Sequence, residues 1–315
     1  MSRPIALVAI GGNALIKERE RGFQTEQLLH ARECAAMFAR IIEAGHALCV
    51  VHGNGPQVGN LLVQQDASSR SIPPYALDIA DAMTQGSMGY MLERALLNRL
   101  RSLGLRVPVT TVLTEVVVDA LDPAFQHPTK PVGPFYAELR ARQLMKQKGW
   151  RMVEDAGRGW RKVVASPQPL EVVQLDAIRH LLAEGHCVIA GGGGGIPVVM
   201  DACGLLEGIE AVIDKDRLSA LLAKQLKAET YVILTGVPKV ALDFGLPSQR
   251  WLDHLTVAEA LQYAAQGQFP PGSMGPKIES ALVFLEQGGR EVLITDPASL
   301  ERGPLDQVGT RIVQA

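Results

Sequence analysis

Three lysines in this 315-residue chain stand where an ordinary surface lysine would not: Lys130 in HPTKPVG, Lys215 in VIDKD and Lys277 at the end of GSMGPK. Each lies in a loop among glycine, proline or aspartate, without the neighbouring Glu and Lys of a solvated helix face. Phosphoryl transfer suits such residues. The three equatorial oxygens of the moving group carry the transition-state charge, and positioned cations offset it. Asp214 and Asp216 flank Lys215. They suit either ion pairing that orients the lysines or water held on Mg²⁺, which prefers one or two carboxylates together with substrate phosphates. Asp216 equally suits the N-cap of the helix that follows.

Glycine loops supply the other half of the chemistry. Residues 47–59, ALCVVHGNGPQVG, read as a doubly buried strand that breaks into a loop with glycine at 53, 55 and 59 and Pro56 placed to open a helix. Backbone N–H groups freed of side chains, facing a helix N-terminus, make an anion cradle at the carboxyl end of a strand. The device recurs where IALVAI enters Gly11-Gly12-Asn13, where HCVIA enters Gly191 to Gly195, and where YVILT enters Gly236; the loop from Gly272 to Lys277 carries a lysine instead of a preceding strand. Single glycine turns are common in β-to-α connections, and this many together point to a ligand.

Two frequent glycine motifs are absent. GxxxxGK[ST] occurs nowhere, and a dinucleotide GxGxxG starting at Gly53 would need glycine where Val58 stands. The run at 191–195 is followed by IPVV, which does not open a helix, although it could hug a nucleotide. His52 opens one loop and suits either substrate contact or a structural hydrogen bond, and the other histidines form no cluster. Cys34, Cys49, Cys187 and Cys203 lack CxxC spacing and read as small buried hydrophobes, with neither zinc site nor disulfide framework.

The elements that must position these residues alternate along the chain. After IALVAI, Leu28, Ala31, Ala35, Phe38 and Ile42 mark a helix from about Thr25 to Ala44, stopped by Gly45. A helix opens near Val58, another runs from about Ile79 to Ser102, and PVTTVLTEVVV reads as one or two strands. Residues 119–169 are proline-rich, with a helix near 137–148 and a hairpin of WRMVE and WRKVVA around DAGRG; they read as an inserted subdomain or lid. A helix at Leu175 to Ala183 resumes the strand and helix alternation, which continues to a last strand near Arg311. Two lobes are expected, residues 1–180 and 181–315. The 31 basic and 33 acidic residues are interspersed, so no basic stripe invites nucleic acid or anionic lipid. No apolar run reaches the ~18 residues of a membrane span, and a cytoplasmic location is expected.

Seven segments then carry a resemblance: AIGGNAL at 9–15, VHGNGPQVG at 51–59, HPTKPVGPF at 127–135, EDAGRGWRKVVASPQP at 154–169, GGGGGIPVV at 191–199, AVIDKD at 211–216 and GQFPPGSMGPK at 267–277. In this order, over nearly the whole chain, they resemble the carbamate kinases of the amino-acid-kinase family. That resemblance implies an α/β fold, a three-layer αβα sandwich around an open, mainly parallel sheet of about eight strands, with a protruding lid subdomain and usually a homodimer. It implies the reaction ATP + carbamate ⇌ ADP + carbamoyl phosphate with Mg²⁺ as cofactor. By position, Gly11, Gly12, Asn13, Gly53, Asn54, Gly55 and Gln57 are expected on the carbamoyl-phosphate side, in the first lobe. Lys130 is expected as the lid residue, Lys215 and Lys277 as the cations bridging the phosphoryl group, and Asp214 and Asp216 as their organisers. Gly193, Lys215, Thr235, Gly236, Val237, Met274, Gly275 and Lys277 are expected to hold ADP or ATP in the second lobe. No direct protein ligand to the metal is expected. Rival readings are another acyl-phosphate-forming kinase of the fold, acting on an amino-acid carboxylate, or a silent nucleotide-binding sensor. Carbamate's small size suits loops that offer only glycine, asparagine and glutamine.

Overall fold

In the computed structural model, which describes residues 3–17, 20–155, 157–270, 273–303 and 305–314, apolar strands stack into one sheet buried on both faces. Ala156, Pro271 and Gly272 of the sequence motifs lie outside the described residues, as does the side chain of Asn13. The strands follow the order His254–Thr256, Thr310–Val313, Glu291–Thr295, Thr230–Leu234, Ile5–Ile10, Ala47–His52, Cys187–Ile189, Val109–Thr111. Pairing is parallel from Glu291–Thr295 to Val109–Thr111 and antiparallel only between Glu291–Thr295 and Thr310–Val313. This is the expected open, mainly parallel sheet.

Strand alternation sorts side chains into two cores. Leu7, Ala9, Cys49 and Val51 point to one face, under the helices Leu175–Ala183, Lys215–Gln225, Val257–Ala265 and Gly275–Glu286. Ala6, Val8, Ile10, Leu48 and Val50 point to the other, under Gln24–Glu43 and Leu77–Ser102. Continuous apolar strands are the signature of such doubly covered sheets. The sheet runs unbroken through both halves of the chain, and Cys187–Ile189 of the second half lies between strands of the first. Of the four cysteines, Cys34, Cys49 and Cys187 are buried as expected, while Cys203 is exposed.

PVTTVLTEVVV makes two strands in different sheets: Val109–Thr111 closes the main sheet, and Glu115–Val118 joins a second one of Leu206–Gly208, Ile196–Met200 and Pro169–Val172. The segment expected as a lid holds a three-stranded sheet of Lys130–Tyr136, Trp160–Val164 and Met152–Glu154 with the helix Glu138–Lys148, and it has its own core of Ala141, Leu144 and Met152. The expected hairpin is the pair of Met152–Glu154 and Trp160–Val164. The motif with Pro131 and Pro134 is a strand, not a loop; it is the edge of the lid sheet, where a missing N–H breaks no second ladder.

Gly89, midway along Leu77–Ser102, shows how closely that helix meets the sheet. A Cβ there would stand 2.3 Å from Thr111 Cγ2, and Thr111 is fixed by hydrogen bonds from its N–H and hydroxyl to Glu93 at 2.9 and 2.7 Å. Alanine would gain roughly 1 kcal/mol of helix propensity, but overpacking costs about 1–3 kcal/mol. Gly89→Ala is therefore expected to lower the free energy of unfolding in urea titrations. An increase would contradict this packing.

Candidate active site

The parallel registers bring the glycine loops to one edge of the sheet. Ile10 stands opposite His52, Ala9 opposite Ile233, Leu234 opposite Thr295, and Val50 opposite Ile189. Gly11, Gly53, Gly191 and Thr235 therefore leave the sheet side by side at its carboxyl end. The loops touch: a Cβ on Gly53 would stand 2.8 Å from Gly12 N and 3.1 Å from Lys215 Cδ. Gly194 (φ +98°) admits no other residue, because a Cβ there would fall 2.1 Å from Ile213 O, just before Asp214.

The lysines begin secondary elements rather than lying within loops. Lys215 is the first residue of Lys215–Gln225, Lys277 lies in the first turn of Gly275–Glu286, and Lys130 opens Lys130–Tyr136. The expected N-cap moves by two residues: Asp214, not Asp216, caps the helix, accepting from Asp216 N at 2.9 Å. Cations in a helix's first turn oppose its dipole, so helix stability does not explain Lys215 or Lys277. Asp216 holds both. Lys215 Nζ donates to Asp216 Oδ1 at 2.5 Å and Lys277 Nζ to Asp216 Oδ2 at 3.2 Å. Lys130 Nζ reaches across from the three-stranded sheet to Asp214 Oδ2 at 2.5 Å. Three ammonium groups against two carboxylates leave one net positive charge.

The electrostatics follow. Burial alone would raise the Asp214 carboxyl, but Lys130, the Asp216 N–H and Lys215 outweigh it and hold it at about 2. Burial also opposes ionisation of Asp216, yet Lys215 and Lys277 keep it below the ordinary carboxylate value. Lys277 is lowered, first by burial and then by the Lys215 charge, with Asp216 only partly restoring it. A carboxylate shared by two ammonium groups cannot fully compensate either. Behind it, Ser280 Oγ donates to Asp216 O at 2.6 Å and lies 2.9 Å from the Tyr231 hydroxyl. These bonds tie the helix bearing Lys215 to the one bearing Lys277.

Beside these loops the Gly55–Ser68 helix starts with Pro56 in its first turn. Asn54 is buried, and its Nδ2 is turned away from the loop, donating to Asp81 Oδ1 at 2.7 Å and Thr84 Oγ1 at 2.8 Å. Gln57 Nε2 donates to Gly12 O at 3.3 Å, and its Oε1 is buried without a partner. His52 is structural: it is buried, its Nδ1 lies 3.2 Å from Gly53 O, and burial lowers it to about 4, keeping it neutral. Gly193 packs on the Asn54 amide, where a Cβ would fall 2.5 Å from Nδ2, so this member of the expected nucleotide set lies between the two halves of the site. Thr235, beside Gly11, donates its N–H to Thr295 O at 2.9 Å; Gly236 is exposed and faces open space. Among the described residues no hydrogen bond joins Thr235, Gly236 or Val237 to the lysine cluster. Met274 packs partly on the core, and Gly275 opens the helix of Lys277.

Sequence reading missed the residues beneath the loops. Asp81, Thr84 and Gln85 lie on the buried face of Leu77–Ser102. Gln85 Nε2 donates to Gly192 O at 2.8 Å, its Oε1 accepts from Thr114 N at 2.8 Å, and Thr114 Oγ1 accepts from Gly191 N at 2.9 Å. Their signal is present in the sequence: polar residues at the helical spacing of Ala80, Met88 and Leu92, on the core stripe. Among the described residues no cluster of three or more His, Cys, Asp or Glu could hold a metal ion. No helix among them is long and apolar enough to cross a membrane.

Residues 4–296 match the amino acid kinase family. The carbamate kinase of Thermococcus kodakarensis is 46% identical over 98% of this chain and 98% of its own length, and that of Pyrococcus horikoshii 44% over 97% and 98%. Among solved structures, carbamate kinase from Giardia lamblia bound to AMP-PNP superposes with a TM-score of 0.93 at 36% identity, covering 99% of each chain.

The Asp214 pair gives a signed pH test. Its folded value near 2 lies below the ordinary 3.8, so its stabilisation is complete above about pH 4 and lost as pH falls towards 2. Asp214→Asn, which can still cap the helix, is expected to lose about 2 kcal/mol of unfolding free energy at pH 7, with the deficit shrinking below pH 4. A deficit independent of pH would contradict the pairing.

Proposed function

This chain belongs to the amino acid kinase family and, within it, to the carbamate kinases, and from that premise we propose how its residues divide the work. The activity is phosphoryl transfer between ATP and carbamate. An amino-acid acceptor is set aside, since relatives matched over nearly full length are carbamate kinases. The observation that carries the mechanism is the single carboxylate, Asp216, clamping Lys215 and Lys277 side by side.

Carbamate is itself an oxygen nucleophile. Its oxygen attacks the terminal phosphorus of ATP, the bond to ADP breaks, and no general base or covalent enzyme intermediate is needed. Lys215 and Lys277, both only 15% exposed at the side chain, meet the equatorial oxygens in a site of reduced dielectric, where fixed cations act more strongly than in water. Asp214 and Asp216 hold the three ammonium groups at separations their mutual repulsion would otherwise widen. Lys130 exchanges Asp214 for the acceptor phosphoryl group as substrate enters, which joins the lid to the site.

The N–H groups of Gly11, Gly12, Asn13 and Gly55, with Asn54 and Gln57, take the carbamoyl end, while Gly53, whose N–H is held by Ile10 O at 2.8 Å, contributes the room left by its missing side chain. Thr235, Gly236, Val237, Met274 and Gly275 take the nucleotide, with Gly193 between the two ends. Residues 1–180, including the lid at 119–169, thus serve carbamate and 181–315 serve ADP or ATP. Magnesium fits as part of the nucleotide substrate: both aspartates are engaged by lysines, and Mg²⁺ keeps waters and substrate phosphates in preference to an all-protein cage. When bound there it neutralises phosphate charge. A homodimer is supported by Ile79, Met83 and Tyr90, exposed along one face of Leu77–Ser102.

Protein mixed with ADP, Mg²⁺ and carbamoyl phosphate is expected to form ATP, followed by luciferase; none above background would contradict the reading. Lys277→Ala is expected to lower kcat on the order of 10³-fold with a smaller change in KM. An unchanged kcat would remove Lys277 from the reacting centre. Lys130→Ala is expected chiefly to raise KM for carbamoyl phosphate, and an unaltered KM would count against the lid role.

A further inference from the structure

Asp81 has no part in the transfer described above, yet it is an unexpected group for the interior. It is 0% exposed, and among the described residues no cation pairs with it. Its Oδ1 accepts from Asn54 Nδ2 at 2.7 Å, and its Oδ2 is buried without a partner. Burial pushes this carboxyl up to about 7, against the opposing hydrogen bond from Asn54. Packing alone would be better served by an apolar side chain.

What the carboxyl supplies is direction. Asn54 Nδ2 carries two protons: one goes to Asp81 Oδ1 and the other to Thr84 Oγ1 at 2.8 Å. The Thr84 hydroxyl spends its own proton on Asp81 O at 2.8 Å, so towards Asn54 it only accepts. With Asp81 ionised both partners on the helix demand a donor, and a flipped amide would set its oxygen against two acceptors; with Asp81 protonated, Thr84 Oγ1 alone still demands one. The NH₂ end therefore points at the helix and Oδ1 points away from it. Among the described residues Oδ1 has no hydrogen-bond donor, and the amide lies against Gly193, where only a glycine leaves room.

We propose that Asp81 is a positioning residue for acceptor specificity: by fixing the Asn54 amide it presents Asn54 Oδ1 as a hydrogen-bond acceptor for the N–H of a carbamoyl group. Acyl phosphates without that N–H gain nothing from it. This rests on the reading of residues 53–57 as the acceptor side.

Acetyl phosphate provides the comparison, since a methyl group replaces the NH₂ of carbamoyl phosphate. The quantity measured is the ratio of kcat/KM for carbamoyl phosphate to that for acetyl phosphate, with ADP as phosphoryl acceptor. This ratio is internal to each variant, so a fraction of misfolded enzyme cancels. Asp81→Leu is expected to lower the ratio about tenfold, the worth of one hydrogen bond, through KM for carbamoyl phosphate and with KM for ADP unchanged. Asp81→Asn, which keeps an oxygen acceptor, is expected to restore most of it. Asn54→Ala is expected to lower the ratio as Asp81→Leu does, and the double variant to fall no further than Asn54→Ala alone. An unchanged ratio in Asp81→Leu while Asn54→Ala lowers it overturns the role of Asp81. An additive double variant overturns its action through Asn54. An unchanged ratio in Asn54→Ala overturns the proposal together with the acceptor-side reading beneath it.

Discussion

Two ammonium groups held beside each other on one carboxylate form the constraint around which this molecule is arranged. Asp216 receives Lys215 from its own helix and Lys277 from another. Neither lysine gains from its place, since each lies where a helix's N–H groups already point outward. The cluster holds because the helices cannot drift apart: they share the core face with Leu218, Leu222, Ile278 and Ala281, and Ser280 bonds to the main chain of Asp216. Buried ion pairs of this kind are weak sources of stability, because desolvation offsets most of their attraction. What they retain is an excess of positive charge at the loop edge of the sheet, as the proposed phosphoryl transfer requires.

The sheet turns this local constraint into a site. Parallel pairing sends the carboxyl ends of the strands from Glu291–Thr295 to Val109–Thr111 the same way, so Gly11, Gly53, Gly191 and Thr235 emerge together although 224 residues separate the first from the last by the numbering. Parallel sheets bind ligands at this edge for that reason. Beneath the loops a buried polar layer of Asp81, Thr84, Gln85 and Thr114 fixes their carbonyls and amides. The glycine loops are thus held from behind by buried side chains.

Much of this was legible in the residues. Continuous apolar runs ending in glycine gave the strands and the edge at which their loops gather, and the three lysines picked out by their neighbours face the paired aspartates Asp214 and Asp216. What escaped did so for physical reasons. Asp214 and Asp216 are equally good caps by type, and only the backbone decides which accepts from the other. Pro131 and Pro134 argue against a strand unless it is known to be an edge. Asn54 is legible as a polar loop residue, but the direction of its amide depends on a helix 27 positions away. Asp81 passes unnoticed because a single polar residue on an apolar stripe is read as a blemish in the periodicity.

The central claim is that one carboxylate stabilises two lysines incompletely. Selective ¹³C labelling of lysine, with the Lys277 resonance assigned through Lys277→Arg, allows its titration to be followed by NMR. The midpoint is expected below the ordinary 10.5 in the unliganded protein, falling further in Asp216→Asn, where burial and Lys215 act without compensation. A midpoint at or above 10.5, or one that Asp216→Asn leaves in place, would contradict it.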